Sequence, residues 1–278
     1  MTARPTPPVA GVIGWPIAHS KSPVIHGLWL EWLGIDGHYV RLPVEPSWVV
    51  EAVRALPALG FRGVNVTIPH KQAVMAALDE ITPAARAIGA VNTVVVGADG
   101  RLTGHNTDAP GFAEPLRDRG LAGRPACVLG AGGAARAVLT ALKGLGVSDI
   151  RLVNRSTDKA AALLDELVIP GSVHGLARQA SALDGAALVV NCTSLGMTGH
   201  PPLDIDLAPL AADAIAYDIV YAPLETDLLK AARARGLATI DGLVMLVGQA
   251  AEAFRLFFDA DPPRDPAHEA ALRARLVA

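Results

Sequence analysis

Cysteine is nearly absent from this sequence: Cys127 and Cys192 are the only two, each inside an apolar run. They make neither a disulfide framework nor a zinc-ligand pattern, so a reduced, cytoplasmic protein is expected. None of the eight histidines forms an H-x-x-x-H pair, and a metal site has no sequence support. A G-x-S-x-G serine elbow is missing too. Neither sign of charge dominates. Lys and Arg number 24 against 27 Asp and Glu, a formal net charge of -3, which gives no electrostatic reason for nucleic acid or an anionic membrane as partner. No apolar run approaches the roughly 20 residues of a membrane-spanning helix. The opening stretch "MTARPTPPVAGVIGWP" has no basic segment followed by a long apolar one, so no secretory signal is expected.

What is present is an ordinary folded chain, 278 residues long and 51% apolar, enough for two modest domains. Short apolar runs alternate with helical patterns, which predicts an α/β fold with mainly parallel sheets. "VAGVIG" reads as a first strand, followed by "GHYVRLPV" and "FRGVNVT". "AVNTVVVGADGRLTG" reads as a hairpin around Asp99-Gly100. The pattern then restarts with strand, glycine turn and long helix in "PACVLGAGGAARAVLTALKGLG", so a boundary is expected between Asp108 and Phe112. Further strands are "DIRLVNR", "ALVVNCTS" and "AIAYDIVY"; the last segments, from Asp241 on, read as helices.

The most legible motif is "VLGAGGAARA". Gly130 ends a strand, and Gly132 and Gly133 open a helix. Glycines there let the backbone turn tightly and approach a pyrophosphate, whose charge meets the helix N-terminus. Ala135 stands where the third glycine of the full motif would be, and a small residue suffices for close packing. An NAD site usually carries an acid at the tip of the next strand. Here that tip reads Asn154-Arg155-Ser156, with Lys159 close behind. A carboxylate would repel a ribose 2′-phosphate; arginine, hydroxyl and lysine would hold one, so NADP is favoured over NAD despite Asp158 in the same loop.

In "GWPIAHSKSPVIHG", Ser22-Pro23 reads as an N-cap and first helical position, and Gly34 as the helix stop. Ser20 and Ser22 would then offer neutral donors at a helix N-terminus, which suits a small carboxylate. His19 and His26 read as structural polar contacts. Asn65, Thr67 and Lys71 in "NVTIPHK", Asn92 in "GAVNT", and Asn106 and Asp108 in "GHNTD" all fall at strand ends or turns, where α/β proteins place ligands. A lysine paired with a carboxylate can relay a proton to or from an alcohol or carbonyl oxygen.

The stretches "HSKSPVIH", "NVTIPHK", "GAVNT", "GHNTD", "GAGGAARA", "NRS", "NCTSLGM", "DIVYAPLET" and "DGLVMLVGQ", in this order, closely resemble the shikimate dehydrogenase family over nearly the whole chain. The resemblance implies NADPH-dependent reduction of 3-dehydroshikimate to shikimate in aromatic amino-acid biosynthesis. It implies two α/β domains with a cleft between them: a substrate domain of residues 1–108 plus 242–278, and a Rossmann-like NADP domain of residues 109–241. By the same resemblance, Ser20, Ser22 and Tyr221 would bind the substrate carboxylate. Thr67, Lys71, Asn92, Asp108 and Gln249 would hold its hydroxyls and reacting oxygen, with Lys71 and Asp108 the catalytic pair. Gly130, Ala131, Gly132, Gly133 and Ala134 would bind the pyrophosphate, and Asn154, Arg155, Ser156 and Lys159 the adenosine ribose phosphate. Ile219, Gly242 and Met245 would line the nicotinamide pocket, and the helix carrying Gln249 would return to the first domain. The family often has Thr where Ser156 stands and Arg where Lys159 stands. Competing readings are an NAD-using quinate/shikimate dehydrogenase, an aminoshikimate-type relative, and a non-catalytic NADP-binding sensor. The oligomeric state, a homodimer included, is left open.

Overall fold

The computed structural model describes residues 6–277, so the first residues of the segment read above for a secretory signal lie outside it. The chain divides into two compact units, Met1–Thr107 with Gln249–Ala278, and Asp108–Gly248.

The first unit contains β1 (Val9–Gly14), α1 (Ser22–Trp32), β2 (His38–Pro43), α2 (Val49–Arg54), β3 (Phe61–Val66), β4 (Glu80–Ile81), α3 (Pro83–Ile88), β5 (Thr93–Val96) and β6 (Leu102–His105). Its sheet runs β2-β1-β3-β5-β6-β4. β1 is parallel to both β2 and β3, whereas β5 is antiparallel to β3 and β6. The β5–β6 hairpin closes at Gly100, whose φ of 80° is the left-handed conformation that the Asp-Gly signal anticipates. β4 is parallel to β6, so three of the five pairings are parallel and the two antiparallel ones are both made by β5.

The second unit contains α4 (Asp108–Ala113), β7 (Pro125–Leu129), α5 (Gly133–Gly144), β8 (Asp149–Val153), α6 (Thr157–Glu166), β9 (Gly171–His174), α7 (Gln179–Leu183), β10 (Leu188–Asn191), β11 (Ile215–Asp218), α8 (Asp227–Ala234) and β12 (Ala238–Ile240). Every pairing in its sheet, β12-β11-β10-β7-β8-β9, is parallel. Successive residues of β7 feed opposite faces: Ala126 and Val128 enter one apolar cluster, Cys127 and Leu129 another. A sheet covered on both sides needs continuous apolar strands, which is how these strands read in the sequence.

The chain changes unit again inside α9 (Gly242–Phe258), between Gly248 and Gln249. Met245 joins the core of the second unit, while Ala253 and Phe257 join that of the first. One unbroken apolar helix serves both cores, so no compositional break marks the change. α10 (Pro266–Val277) follows and contacts α1.

His26 departs from expectation. It is fully buried in α1, stacked on Tyr39 with ring centroids 3.9 Å apart, and bordered by Trp29, Phe254, Phe257 and Phe258. Among the described residues neither ring nitrogen has a hydrogen-bond partner, so its role is aromatic packing and not a polar contact. Burial among rings lowers its pKa from the ordinary 6.5 to about 3. The unfolded chain therefore binds the extra proton more readily. The stability that the neutral ring supports is complete above pH 6.5 and is lost as pH falls toward 3, the loss amounting to about 2 kcal/mol at pH 5. The variant His26→Phe is expected to show a shallower loss of melting temperature than the parent between pH 6.5 and 4.5. Parallel melting curves over that range would contradict this account.

Candidate active site

In the first unit, β1 and β3 run parallel, so their C-terminal ends share one edge of the sheet. β5 runs the other way, and its N-terminal end reaches the same edge, as does the C-terminal end of β6. The loop with Ser20 and Ser22 leaves β1 there. Thr67 and Lys71 follow β3, Asn92 precedes β5, and Thr107 follows β6.

Backbone bonds bring these loops together. Thr67 N–H donates to the Ile13 carbonyl at 2.9 Å, and Val91 N–H to the Lys71 carbonyl at 2.8 Å, which sets Lys71 beside Asn92. A Cβ on Gly14 would lie 2.6 Å from Thr67 Cγ2, so the approach of β1 to Thr67 requires glycine. His70 Nε2 donates to the Val44 carbonyl at 2.8 Å and ties the Thr67–Lys71 loop to the segment after β2. Asn92 is buried. Its Oδ1 accepts from Thr107 N–H at 2.7 Å, and its Nδ2 donates to Thr107 Oγ1 at 2.9 Å. Lys71 is partly exposed, and Gln249 is buried within α9.

One local assignment is corrected. Ser22 is not the N-cap of α1. Lys21 takes that place in helical conformation, φ -83° and ψ -9°, and its carbonyl accepts from Val24 and Ile25 N–H. Ser22 is the first helical residue, and its own N–H donates to Ser20 Oγ at 3.3 Å. The capping acceptor therefore comes from Ser20. The cost of losing it, about 0.5–2 kcal/mol for a cap, belongs to Ser20→Ala and not to Ser22→Ala. Gly34 does follow the helix end, with a φ of 64°.

In the second unit, Asp108 is buried at the start of α4, one peptide beyond Thr107. From β7 the chain proceeds outward through β8 and β9, then returns to β10 on the other side and continues to β11 and β12. The switch point is thus between β7 and β10, where open parallel sheets bind ligands at their C-terminal ends. Gly130 lies there with a φ of 97°, and a Cβ on it would meet Thr193 Cγ2 at 2.7 Å. At Gly132 and Gly133 a Cβ would meet nothing within 4 Å among the described residues beyond the adjoining chain, so these two glycines are not required by packing. Ala131 and Ala134 stand beside them, and α5 begins at Gly133.

Asn154 spans two loops: its Oδ1 accepts from Ala131 N–H at 3.3 Å, and its Nδ2 donates to the Ser156 carbonyl at 2.8 Å. Ser156 caps α6, its Oγ accepting from Lys159 N–H at 3.3 Å. Arg155 and Lys159 are exposed and form no ion pair among the described residues. No carboxylate stands at the tip of β8. The residues therefore fit a dinucleotide carrying a 2′-phosphate: glycines at the switch point, a helix N-terminus, and two uncommitted cations beyond the next strand.

Asp218, at the end of β11, was not singled out from sequence. Its buried carboxylate accepts from Asn191 Nδ2 and Val220 N–H, each at 3.0 Å, and from Thr226 Oγ1 at 2.7 Å. Burial raises its pKa, and these donors pull it partly back. The network fixes the loops after β10 and β11 and hence Ile219 and Tyr221. The Tyr221 phenol is pushed up by burial. Gly242 is required by close packing, since a Cβ would lie 2.5 Å from the Ile219 and Val220 carbonyls. Met245 is buried one helical turn later.

This switch-point sheet, with its glycine turn and acid-free strand tip, defines a dinucleotide-binding protein. A family model described as "Shikimate dehydrogenase substrate binding domain" matches residues 12–94. One described as "Shikimate / quinate 5-dehydrogenase" matches residues 114–197, and one described as "Shikimate 5'-dehydrogenase C-terminal domain" matches residues 242–272. A protein of Paramagnetospirillum magneticum named "Shikimate dehydrogenase (NADP(+))" is 53% identical over 259 residues, 91% of this chain and 94% of that one. Among solved structures, shikimate 5-dehydrogenase of Thermus thermophilus in complex with NADP(H) and shikimate has a TM-score of 0.85 at 38% identity, covering 97% of this chain and 99% of that one. Quinate dehydrogenase of Corynebacterium glutamicum in complex with NAD has a TM-score of 0.89 at 34% identity, covering 96% and 99%. The chain belongs to the shikimate dehydrogenase family.

Proposed function

We propose that this protein catalyses the reversible NADPH-dependent reduction of 3-dehydroshikimate to shikimate, its place in aromatic amino-acid biosynthesis. One observation carries the reading. The family's residues are present in a chain 53% identical to an NADP-named shikimate dehydrogenase, and the strand tip that reads the ribose has exposed Arg155 and Lys159 with no acid. The same observation disfavours the NAD-using quinate reading, although a quinate dehydrogenase shares the fold. A sensor without activity would have no need of both Lys71 and Asp108.

In this reading Ser20, Ser22 and Tyr221 hold the substrate carboxylate, the serines as neutral donors beside a helix N-terminus. Thr67, Asn92 and Gln249 hold the hydroxyls. Gly130 to Ala134 hold the pyrophosphate. Asn154, Arg155, Ser156 and Lys159 hold the ribose phosphate, and Ile219, Gly242 and Met245 border the nicotinamide. NADPH, when bound, supplies the hydride. Lys71 stabilises the charge that grows on the carbonyl oxygen and gives that oxygen its proton; Asp108 is its carboxylate partner. The first unit is the substrate domain and the second the NADP domain. A reduced cytoplasmic setting is part of the reading. It agrees with two buried free thiols, of which Cys127 is pushed up to about 12 by burial.

Incubation with shikimate and NADP⁺, followed by mass spectrometry, is expected to show a product two hydrogens lighter, accompanied by NADPH. Absence of that product at saturating reactants would reject the reading. Ser20→Ala and Ser22→Ala are each expected to weaken shikimate binding by about 10- to 150-fold in calorimetry, the loss of a hydrogen bond to a charged group, with a smaller effect on NADP. Normal shikimate binding by either variant removes its hydroxyl from the carboxylate site.

A further inference from the structure

The edge strand β2 contributes to the substrate edge of the first unit without being part of any glycine or serine motif. Its residues Tyr39 and Arg41 are two apart and share a face. Tyr39 is buried, and its phenol donates to Asn65 Oδ1 at 2.6 Å. Asn65 Nδ2 in turn donates to Thr93 Oγ1 at 3.0 Å. Arg41 reaches the other way. Its Nε and Nη2 both donate to the Ser20 carbonyl, at 3.2 and 2.7 Å. Ser20 is otherwise held by its N–H donating to the Ile17 carbonyl at 3.1 Å, and by Ser22 N–H donating to its Oγ.

Two features make this clasp more than a loop contact. First, it fixes the peptide between Ser20 and Lys21. The orientation of that peptide sets where the Ser20 hydroxyl and the first turn of α1 point. Second, Arg41 has no carboxylate partner among the described residues. A guanidinium carries five N–H groups, and two of them serve one neutral carbonyl. Its charge is therefore not cancelled locally. An anion held at the Ser20 and Ser22 hydroxyls lies within its field, and exposure to solvent weakens that field without removing it.

The geometry points to Arg41 as a positioning residue for the substrate carboxylate, acting through the Ser20 carbonyl. The inference rests on the functional reading above, which assigns the carboxylate to Ser20 and Ser22. Arg41 touches neither substrate nor cofactor in this account. It holds the serine loop in its binding conformation and adds a positive potential there. Lysine cannot replace it fully, because one ammonium lacks the planar pair of donors that spans a single carbonyl.

The test compares the parent with Arg41→Met and Arg41→Lys, using shikimate and its methyl ester as substrates with NADP⁺ saturating. For shikimate, Arg41→Met is expected to raise KM by about 5- to 20-fold, in keeping with losing a charge-assisted contact at a partly solvated site, while kcat changes less than about 2-fold. Arg41→Lys is expected to recover part of that loss. For the ester, which has no charge at that position, the rise in KM is expected to be clearly smaller. Raised salt should weaken shikimate binding to the parent more than to Arg41→Met. An unchanged KM for shikimate in Arg41→Met overturns the assignment. So does an equal rise for acid and ester, which would mean a general loosening of the fold. A parent that fails to oxidise shikimate overturns the functional reading as well, whereas an active parent with an indifferent variant overturns Arg41 alone.

Discussion

Lys71→Met is expected to lower kcat by about 10²–10⁴-fold, the range for losing a positioned proton donor, while the KM for shikimate and the affinity for NADPH change far less. The reason is the order in which charge appears. In the ground state the substrate carbonyl is neutral, and an ammonium near it gains only a modest dipole interaction. As the carbonyl carbon is reduced, negative charge builds on its oxygen, and the same ammonium becomes its closest counter-charge. An interaction that strengthens only along the reaction coordinate lowers the barrier without tightening substrate binding. Methionine is close to lysine in length and removes the charge with little change in shape. Lys71 is partly exposed, so the substitution buries no new polar group and the fold is expected to survive. Asp108→Asn should also slow turnover, with a larger share of the loss in substrate binding. A Lys71→Met enzyme with kcat within a few fold of the parent would leave Lys71 a binding residue at most.

Arg155→Asp is expected to invert the cofactor preference. Losing a charge-assisted contact to the 2′-phosphate costs about 1.5–3 kcal/mol, and the new carboxylate adds repulsion against the same group. Together they should lower kcat/KM for NADPH by more than about 100-fold. NADH, with a 2′-hydroxyl that a carboxylate can accept from, should be used as well or better. The site allows the change to be local. Arg155 is exposed and unpaired among the described residues, and the neighbouring cap of α6 is made by the Ser156 side chain and does not depend on it. An NADPH/NADH ratio equal to that of the parent would show that Arg155 does not read the 2′-phosphate. Lys159 would then be the next candidate.

How much could be read beforehand depended on how local the physics was. The glycine turn was legible because Gly130 answers a backbone demand, a φ of 97° next to Thr193, that no other residue meets cheaply. The Asp99-Gly100 turn was legible for the same reason. The acid-free tip after β8 could be read directly, since the discriminating residues follow one another in the chain. The cap of α1 was misread by one residue, and its acceptor by two. Ser22-Pro23 carries the usual signal, yet Lys21 already adopts helical angles and Ser20 supplies the acceptor. Sequence cannot show which of two nearby serines the backbone favours. The mixed order of the first sheet was hidden because β5 pairs with β3 across an interval that includes β4 and α3. The roles of Arg41 and Asp218 were hidden more completely. Arg41 reaches a carbonyl 21 residues away, and Asp218 accepts from an asparagine 27 residues away. In sequence both look like ordinary charged residues of a strand. The change of unit within α9 left no trace either, because Met245 and Phe257 satisfy one helical pattern while packing in different cores.

The measurement that bears most directly on the whole account is the steady-state reduction rate of the purified protein in a two-by-two comparison. 3-Dehydroshikimate and 3-dehydroquinate are each offered with NADPH and with NADH, followed by loss of the reduced nicotinamide. The account expects 3-dehydroshikimate with NADPH to have the highest kcat/KM. It expects at least about a tenfold loss on changing the cofactor, the value of one charge-assisted contact, and little turnover of 3-dehydroquinate with either. A preference for NADH, or for 3-dehydroquinate, would contradict the assignment of the Arg155 loop and of the substrate edge, respectively. No turnover in any of the four combinations would contradict the enzyme itself.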